Sequence, residues 1–267
     1  NDKAQFNYAF AFYYGQGVKK DLATAARWCL KSAKQGNSQA QGAMGQLYDW
    51  GHGVTKDYTE ALRWYYKAAA QDNKTAMNNI GRYNYYGKGI DVNYSKAAKW
   101  YQKSADLGDA KALNMIGYMY EHGKGKEKNG SKAVAWYRKA AAQGEPTAQN
   151  NLGIFYEGGY YVKKNNRKAV QWYRKAADQG NKKAQSNLGR MYYNAKGVKA
   201  DYHEAFKWFS KSAEQGYEDA LYYLGWMSER GHGTNKDYYE AVRYFRKAAE
   251  KGHKDAQNEL RKKNVEW

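Results

Sequence analysis

The sequence predicts an all-α fold: a right-handed α-solenoid of seven 36-residue helix–loop–helix repeats followed by a C-terminal capping helix. Three observations predict it. Trp28, Trp64, Trp100, Trp136, Trp172, Trp208 and Tyr244 recur every 36 positions without insertion or deletion, and a fixed period of roughly 20–50 residues marks stacked supersecondary units. Apolar residues within each period follow helical spacing. Glycine is frequent (27) and proline nearly absent (1), which suits many short helices stopped by glycine. Units that bury their faces only against neighbours form one continuous array. Residues 1–267 therefore read as a single domain, with units near 1–36, 37–72, 73–108, 109–144, 145–180, 181–216 and 217–252 and a cap at 253–267.

The second copy illustrates each element in turn. In its first helix, Ala40, Met44, Leu47 and Tyr48 lie on one side. Gly51-His52-Gly53 follows, and its glycines supply the left-handed conformations that end a helix. Asp57 is the expected N-cap of the second helix, with Glu60 completing a capping box. Asp201 with Glu204 and Asp237 with Glu240 repeat the pairing. Ala61, Leu62, Trp64, Tyr65, Ala68 and Ala69 make the second helix broadly apolar. Second helices end at Gly36, Gly108, Gly144, Gly180, Gly216 and Gly252, with Asp72 in that place in the second copy. The one proline, Pro146, opens a first helix, where its missing N–H costs nothing.

Gly45, Gly81, Gly117, Gly153, Gly189 and Gly225 occupy the middle of first helices. A mid-helix glycine costs about 1 kcal/mol relative to alanine, so a close neighbour is expected there. The partner helix at Ala61, Ala97 and Ala133 is the simplest choice. The tryptophan column reads as core, so Trp136→Ala is expected to cost roughly 3–5 kcal/mol. Ala256 and Leu260 begin an eighth first helix that turns charged at Arg261, Lys262 and Lys263, as a terminal cap should. At the other end Ala9 replaces the glycine, and Phe6, Tyr8, Phe10 and Phe12 crowd the helix. That apolar end suggests either a preceding segment or a partner contact.

The pattern Ala-x-x-x-Leu-Gly-x-x-Tyr-x-x-Gly-x-Gly-Val, then Asp-Tyr-x-x-Ala-x-x-Trp-Tyr-x-Lys-Ala-Ala-x-Gln-Gly, resembles the Sel1-like repeat, a relative of the tetratricopeptide repeat. It reads almost unbroken in 40–71 and 184–216. Departures are local: Tyr161 for the second loop glycine, Ala195 for the first, Lys126 for valine and Gly130 for tyrosine. Loop conformation in copies four to six is where the repeats are expected to differ. The resemblance implies an adaptor with no catalytic residues. Bacterial relatives act in host interaction, envelope assembly and motility, and some are immunity proteins that block toxins, including lipases delivered by type VI secretion.

Lysine and arginine total 45 against 26 acids, a net charge of +19, which favours an acidic partner through long-range attraction. Lys31, Lys67, Lys103, Lys139, Lys175, Lys211 and Lys247 share one column, read as a solvated outer face. Cys29 is the only cysteine. It excludes an intramolecular disulfide or a thiolate metal site, and standing where other copies carry an aromatic it reads as core filler. No run of 18 apolar residues offers a membrane span. The five histidines show no zinc spacing, and Gly-x-Gly here stops helices rather than cradling phosphate. Neither an enzyme nor a cofactor is expected. A basic solenoid with aromatics could track nucleic acid, but Asp49, Glu121, Glu157 and Glu229 in the inner columns argue against it. The start at Asn1 fits a processed or trimmed chain, so periplasm or export is expected, with cytoplasm the alternative.

In stacked helical hairpins the first helices line the concave surface, and three columns flank their buried residues. The first runs Phe10, Gln46, Arg82, Tyr118, Ile154, Arg190, Trp226. The second runs Tyr13, Asp49, Tyr85, Glu121, Glu157, Tyr193, Glu229. The third runs Tyr14, Trp50, Tyr86, His122, Gly158, Asn194, Arg230. These columns vary where packing columns repeat, and they are rich in Tyr, Trp and Arg, the residues enriched in binding hot spots. The expected partner-binding residues are Phe10, Tyr13, Tyr14, Trp50, Arg82, Tyr85, Tyr86, Tyr118 and His122, with Tyr222, Trp226 and Arg230 as a second cluster.

Overall fold

Side chains that accept hydrogen bonds at helix starts, and glycines at many helix ends, delimit the elements. The computed structural model describes residues 1–267 as fifteen helices: α1 (Asp2–Tyr14), α2 (Leu22–Lys34), α3 (Ser38–Trp50), α4 (Tyr58–Ala69), α5 (Lys74–Tyr86), α6 (Tyr94–Asp106), α7 (Ala110–His122), α8 (Gly130–Ala142), α9 (Pro146–Gly158), α10 (Asn166–Asp178), α11 (Lys182–Tyr193), α12 (Tyr202–Glu214), α13 (Glu218–Arg230), α14 (Tyr238–Glu250) and α15 (Lys254–Lys262). The chain divides into two compact units, Asn1–Trp136 and Tyr137–Trp267. In the first, α1 pairs with α2, α3 with α4 and α5 with α6, and each second helix packs on the next first helix. In the second, α9/α10, α11/α12 and α13/α14 repeat the arrangement, and α15 covers α14.

Each second helix begins at a carboxylate or amide that accepts from the first turn, as at Asp21, Asp57, Asn93, Asn165, Asp201 and Asp237. Such caps contribute typically about 1 kcal/mol each. The full capping box does not form. The backbone N–H of Asp57 donates to Tyr48 O and that of Asp237 to Ser228 O, so neither is left for the glutamate. Glu60, Glu204 and Glu240 instead pair with Arg63, Lys207 and Arg243.

The loops keep one conformation despite the substitutions. Ala195 (φ 55°) and Tyr161 (φ 55°) take the left-handed backbone that glycine occupies in the other copies. For an L-residue that region costs roughly 1–2 kcal/mol. Ala195→Gly should therefore raise the unfolding free energy by about 1 kcal/mol, read as a higher denaturation midpoint at unchanged slope.

The core differs from the sequence expectation in one respect. The mid-helix glycines do not face an alanine backbone; they lie under an aromatic ring from the second helix. A Cβ at Gly45 would meet the Tyr65 ring at 2.5 Å, one at Gly81 the Tyr101 ring at 2.8 Å, and one at Gly225 the Phe245 ring at 2.6 Å. Gly153 with Tyr173 and Gly189 with Phe209 repeat the pair. These rings are fully buried. The tryptophan one residue earlier is not the deepest position: only Trp64 and Trp208 are buried, and Trp28, Trp100, Trp136 and Trp172 are half-exposed. Truncating Trp136 should thus cost less than a full core deletion.

The lysine column does more than face solvent. Lys31, Lys67, Lys103, Lys175 and Lys211 each set the ammonium 4.3–4.7 Å from the ring centroid of the tryptophan three residues earlier. A cation over an indole face gains about 0.5–1 kcal/mol at exposed sites. Neighbouring hairpins are tied by polar rungs as well. Gln71 Nε2 donates to Gln41 Oε1 at 2.8 Å and Gly36 O at 3.0 Å, and Gln179 repeats this to Gln149 and Gly144.

Candidate partner-binding surface

In the first unit the last turns of α1, α3, α5 and α7 carry the expected residues. Phe10 (47% exposed), Tyr14 (58%), Trp50 (50%) and Tyr86 (60%) are large aromatic side chains facing water. They are held by edge or tilted ring contacts: Phe10 to Tyr14 at 4.4 Å, Trp50 to His52 at 5.4 Å, Tyr86 to Tyr85 at 4.8 Å. Tyr118 is half-buried and stacks on exposed His122 at 4.0 Å. Tyr13 is half-buried, and its hydroxyl bonds His52 Nδ1 at 2.8 Å.

Two residues do not stand where the columns put them. Tyr85 is 8% exposed, wedged against Tyr94 (5.0 Å) and Tyr118 (6.2 Å), so it supports Tyr86 rather than presenting itself. Burial, then the neighbouring phenols Tyr118, Tyr86 and Tyr94, push its hydroxyl above the usual tyrosine range. Arg82 is spent on Asp49, whose carboxylate is fully buried and also receives Lys88 Nζ at 3.2 Å. Removing one partner of a buried pair strands the other charge, so this clamp belongs to the fold.

In the second unit Glu157 has the same role. Arg190 grips it with two bonds of 2.6 and 2.7 Å, Tyr173 Oη donates at 2.9 Å, and Lys196 lies at 3.9 Å. Burial pushes the Glu157 carboxyl up, but the Arg190 bonds and charge, with Tyr173 and Lys196, hold it below its ordinary value. Glu229 pairs with Lys263. Asp49, Glu157 and Glu229 are thus compensated within the fold rather than solvated, because an acid in one repeat meets a cation of the next. Their column therefore says less against a polyanion than the sequence implied.

The second cluster is assembled on α13. Tyr222 and Trp226 are half-buried with centroids 6.4 Å apart; Tyr222 stacks on His253 at 4.5 Å and Trp226 meets the Phe245 ring at 6.0 Å. Arg230 is exposed and lays its guanidinium 4.5 Å from the Trp226 centroid. No three His, Cys, Asp or Glu side chains stand together as a metal site, and no helix is long and apolar enough to cross a membrane.

The Sel1 repeat family model matches seven successive segments, 2–37, 38–73, 74–109, 110–145, 146–181, 182–217 and 218–253. The chain belongs to the Sel1 repeat family. A solved Sel1 repeat protein from Oxalobacter formigenes is 33% identical with a TM-score of 0.79, over 91% of this chain and 96% of its own. A protective antigen of uropathogenic Escherichia coli strains with the same fold is 36% identical with a TM-score of 0.79, over 97% of this chain. This chain spans 56% of that protein's length. Immunity protein Pa5087 from Pseudomonas aeruginosa shares the fold at 23% identity and a TM-score of 0.57, over 80% of this chain and 81% of its own. A search of curated proteins returned no match. Sel1 repeats are a protein-interaction scaffold fold.

Within this Sel1 array, sequence reasoning missed the loop histidines as part of the surface. His52 bonds Tyr13, and His232 bonds Tyr193 at 3.2 Å and stacks on Tyr202 at 4.3 Å. The signal was present: both pairs are 39 residues apart, one repeat plus the offset from helix end to next loop.

Proposed function

We propose that this Sel1 array is a non-enzymatic scaffold that binds a protein on the surface formed by the last turns of its first helices. The specific partner we propose is an acidic secreted toxin of the lipase-like, type VI class, neutralised by occlusion, which makes the chain an immunity protein acting in the periplasm. The observation that carries the reading is the row of exposed Phe10, Tyr14, Trp50 and Tyr86. Aromatic anchors of this kind supply most of the energy of protein interfaces. With Asp49 and Glu157 already neutralised, the +19 charge is left to attract an acidic partner and raise its association rate. The Pseudomonas aeruginosa immunity proteins share the fold.

Co-expression with the product of the neighbouring gene, followed by titration of the purified pair, tests this. Trp50→Ala and Tyr86→Ala should each weaken binding by at least ~1 kcal/mol, or about fivefold, with the melting temperature unchanged. A neighbour that is neither toxic nor bound removes the immunity reading. The similarity to the Escherichia coli protective antigen favours a second reading, a host-interaction or envelope-assembly adaptor using the same surface. Nucleic acid is the remaining competitor. It requires affinity that falls steeply with salt, in proportion to the phosphates neutralised, whereas the protein-partner reading expects no such binding at physiological salt.

A further inference from the structure

The first repeat lacks the ring that fills every other repeat. At the position of Tyr65, Tyr101, Tyr137, Tyr173, Phe209 and Phe245 it carries Cys29, and at the position of the mid-helix glycine it carries Ala9. Cys29 is buried, and its thiol donates to Ala40 O at 3.3 Å. A sulfur and a methyl do not fill the volume of a phenol. What remains is a cavity of about 180 Å³ between α1, α2 and α3. Ala9 and Cys29 form its floor, Tyr13 and Leu47 its walls, and half-exposed Phe10 and Trp50 its rim. An apolar cavity of about 150 Å³ accepts a benzene-sized solute, so this one has room for a single aromatic ring.

We propose that this vacancy is an anchor pocket for one aromatic side chain of an acidic protein partner. The inference rests on the protein-binding reading above and names the feature of the partner that the surface selects. The fold itself supplies the template, because five other repeats place a Tyr or Phe ring on the matching floor. A free solute sunk in the cavity would leave Phe10, Tyr14 and Trp50 wet, whereas a side chain arriving on a partner brings the surface that covers them. The chain as a whole carries a net charge of +19, which favours acidic residues beside the aromatic anchor through long-range attraction.

The pocket can be refilled with the protein's own solution. Cys29→Tyr alone would drive a ring into the Ala9 methyl, as the short distances at the equivalent glycines require, so the test variant is Ala9→Gly/Cys29→Tyr. Circular dichroism and melting temperature establish that it folds. The probes are p-cresol, the peptide acetyl-Glu-Phe-Asp-amide and its alanine counterpart acetyl-Glu-Ala-Asp-amide, titrated by NMR. The wild type should bind the Phe peptide at least tenfold more tightly than the Ala peptide, and p-cresol should compete. Refilling should abolish both effects. Equal binding of the two peptides by the wild type, or undiminished Phe-peptide binding by the refilled variant, overturns the proposal. Binding of p-cresol without peptide discrimination also overturns it, in favour of a small-molecule pocket. With a toxin in hand the two readings separate. If Tyr86→Ala weakens the complex and refilling does not, the anchor is wrong and the scaffold stands. If neither weakens it, both fail.

Discussion

Tyr173→Ala should lower the unfolding free energy of the array by about 3–5 kcal/mol, the usual loss for deleting a buried aromatic ring. The Tyr173 ring is fully buried, lies on Gly153 with no room to spare, and donates its hydroxyl to Glu157 at 2.9 Å. Truncation therefore leaves a cavity and removes one partner of a partly buried carboxylate. Tyr173→Phe should cost only about 1 kcal/mol, the net worth of one hydrogen bond, since Phe209 and Phe245 already fill the same position without a hydroxyl. The pH dependence has a definite sign. Burial and then Glu157 push the Tyr173 hydroxyl above its ordinary value of 10.0. Its contribution is complete below pH 10.0 and is lost as pH rises toward the folded value. Glu157 is held below its ordinary 4.5, so its contribution is complete above that pH and is lost as pH falls through the lower folded value. Denaturant titrations at neutral, alkaline and acid pH check all four statements. A Tyr173→Ala loss no larger than that of Tyr173→Phe would remove the ring column from the core.

Gly45→Ala should destabilise by roughly 1–3 kcal/mol, although in an open helix the same change would stabilise by about 1 kcal/mol. The new methyl would stand 2.5 Å from two carbons of the Tyr65 ring, and a buried planar ring between helices cannot retreat without moving one of them. The first repeat supplies the compensating change, since it pairs Ala9 with Cys29. Gly45→Ala/Tyr65→Cys should be less destabilised than the sum of its single changes, with a coupling of at least ~1 kcal/mol between touching side chains. Strict additivity would mean that glycine and ring do not share one volume.

Much of the fold was legible because its causes are local. Helical spacing, Asp and Asn caps and glycine stops act within a few residues, and the 36-residue period copies them without error. Where reasoning stayed local it also misjudged. Glu60 is placed for a capping box, yet the N–H it would accept from is taken by Tyr48 of the preceding helix. Trp136 belongs to the strictest column, yet it is only half-buried; in five other copies that column sets its ring under a lysine, while the next residue takes the deepest position. The candidate surface was half legible. Exposed Phe10, Tyr14, Trp50 and Tyr86 follow from columns that vary, but Tyr85 and Arg82 vary in the same columns and are consumed by Tyr94 and Asp49.

By itself the sequence determined that this protein is a Sel1 array of helical hairpins, where each helix starts and stops, and that the chain is strongly basic. Only the tertiary structure decided which aromatic of each Trp–Tyr pair is core, which acids are neutralised, and that the first repeat holds an unfilled space. The reason is one of range. Spacing and caps report on a residue's own helix, whereas burial, ion pairing and a missing ring are set by a neighbouring hairpin tens of residues away.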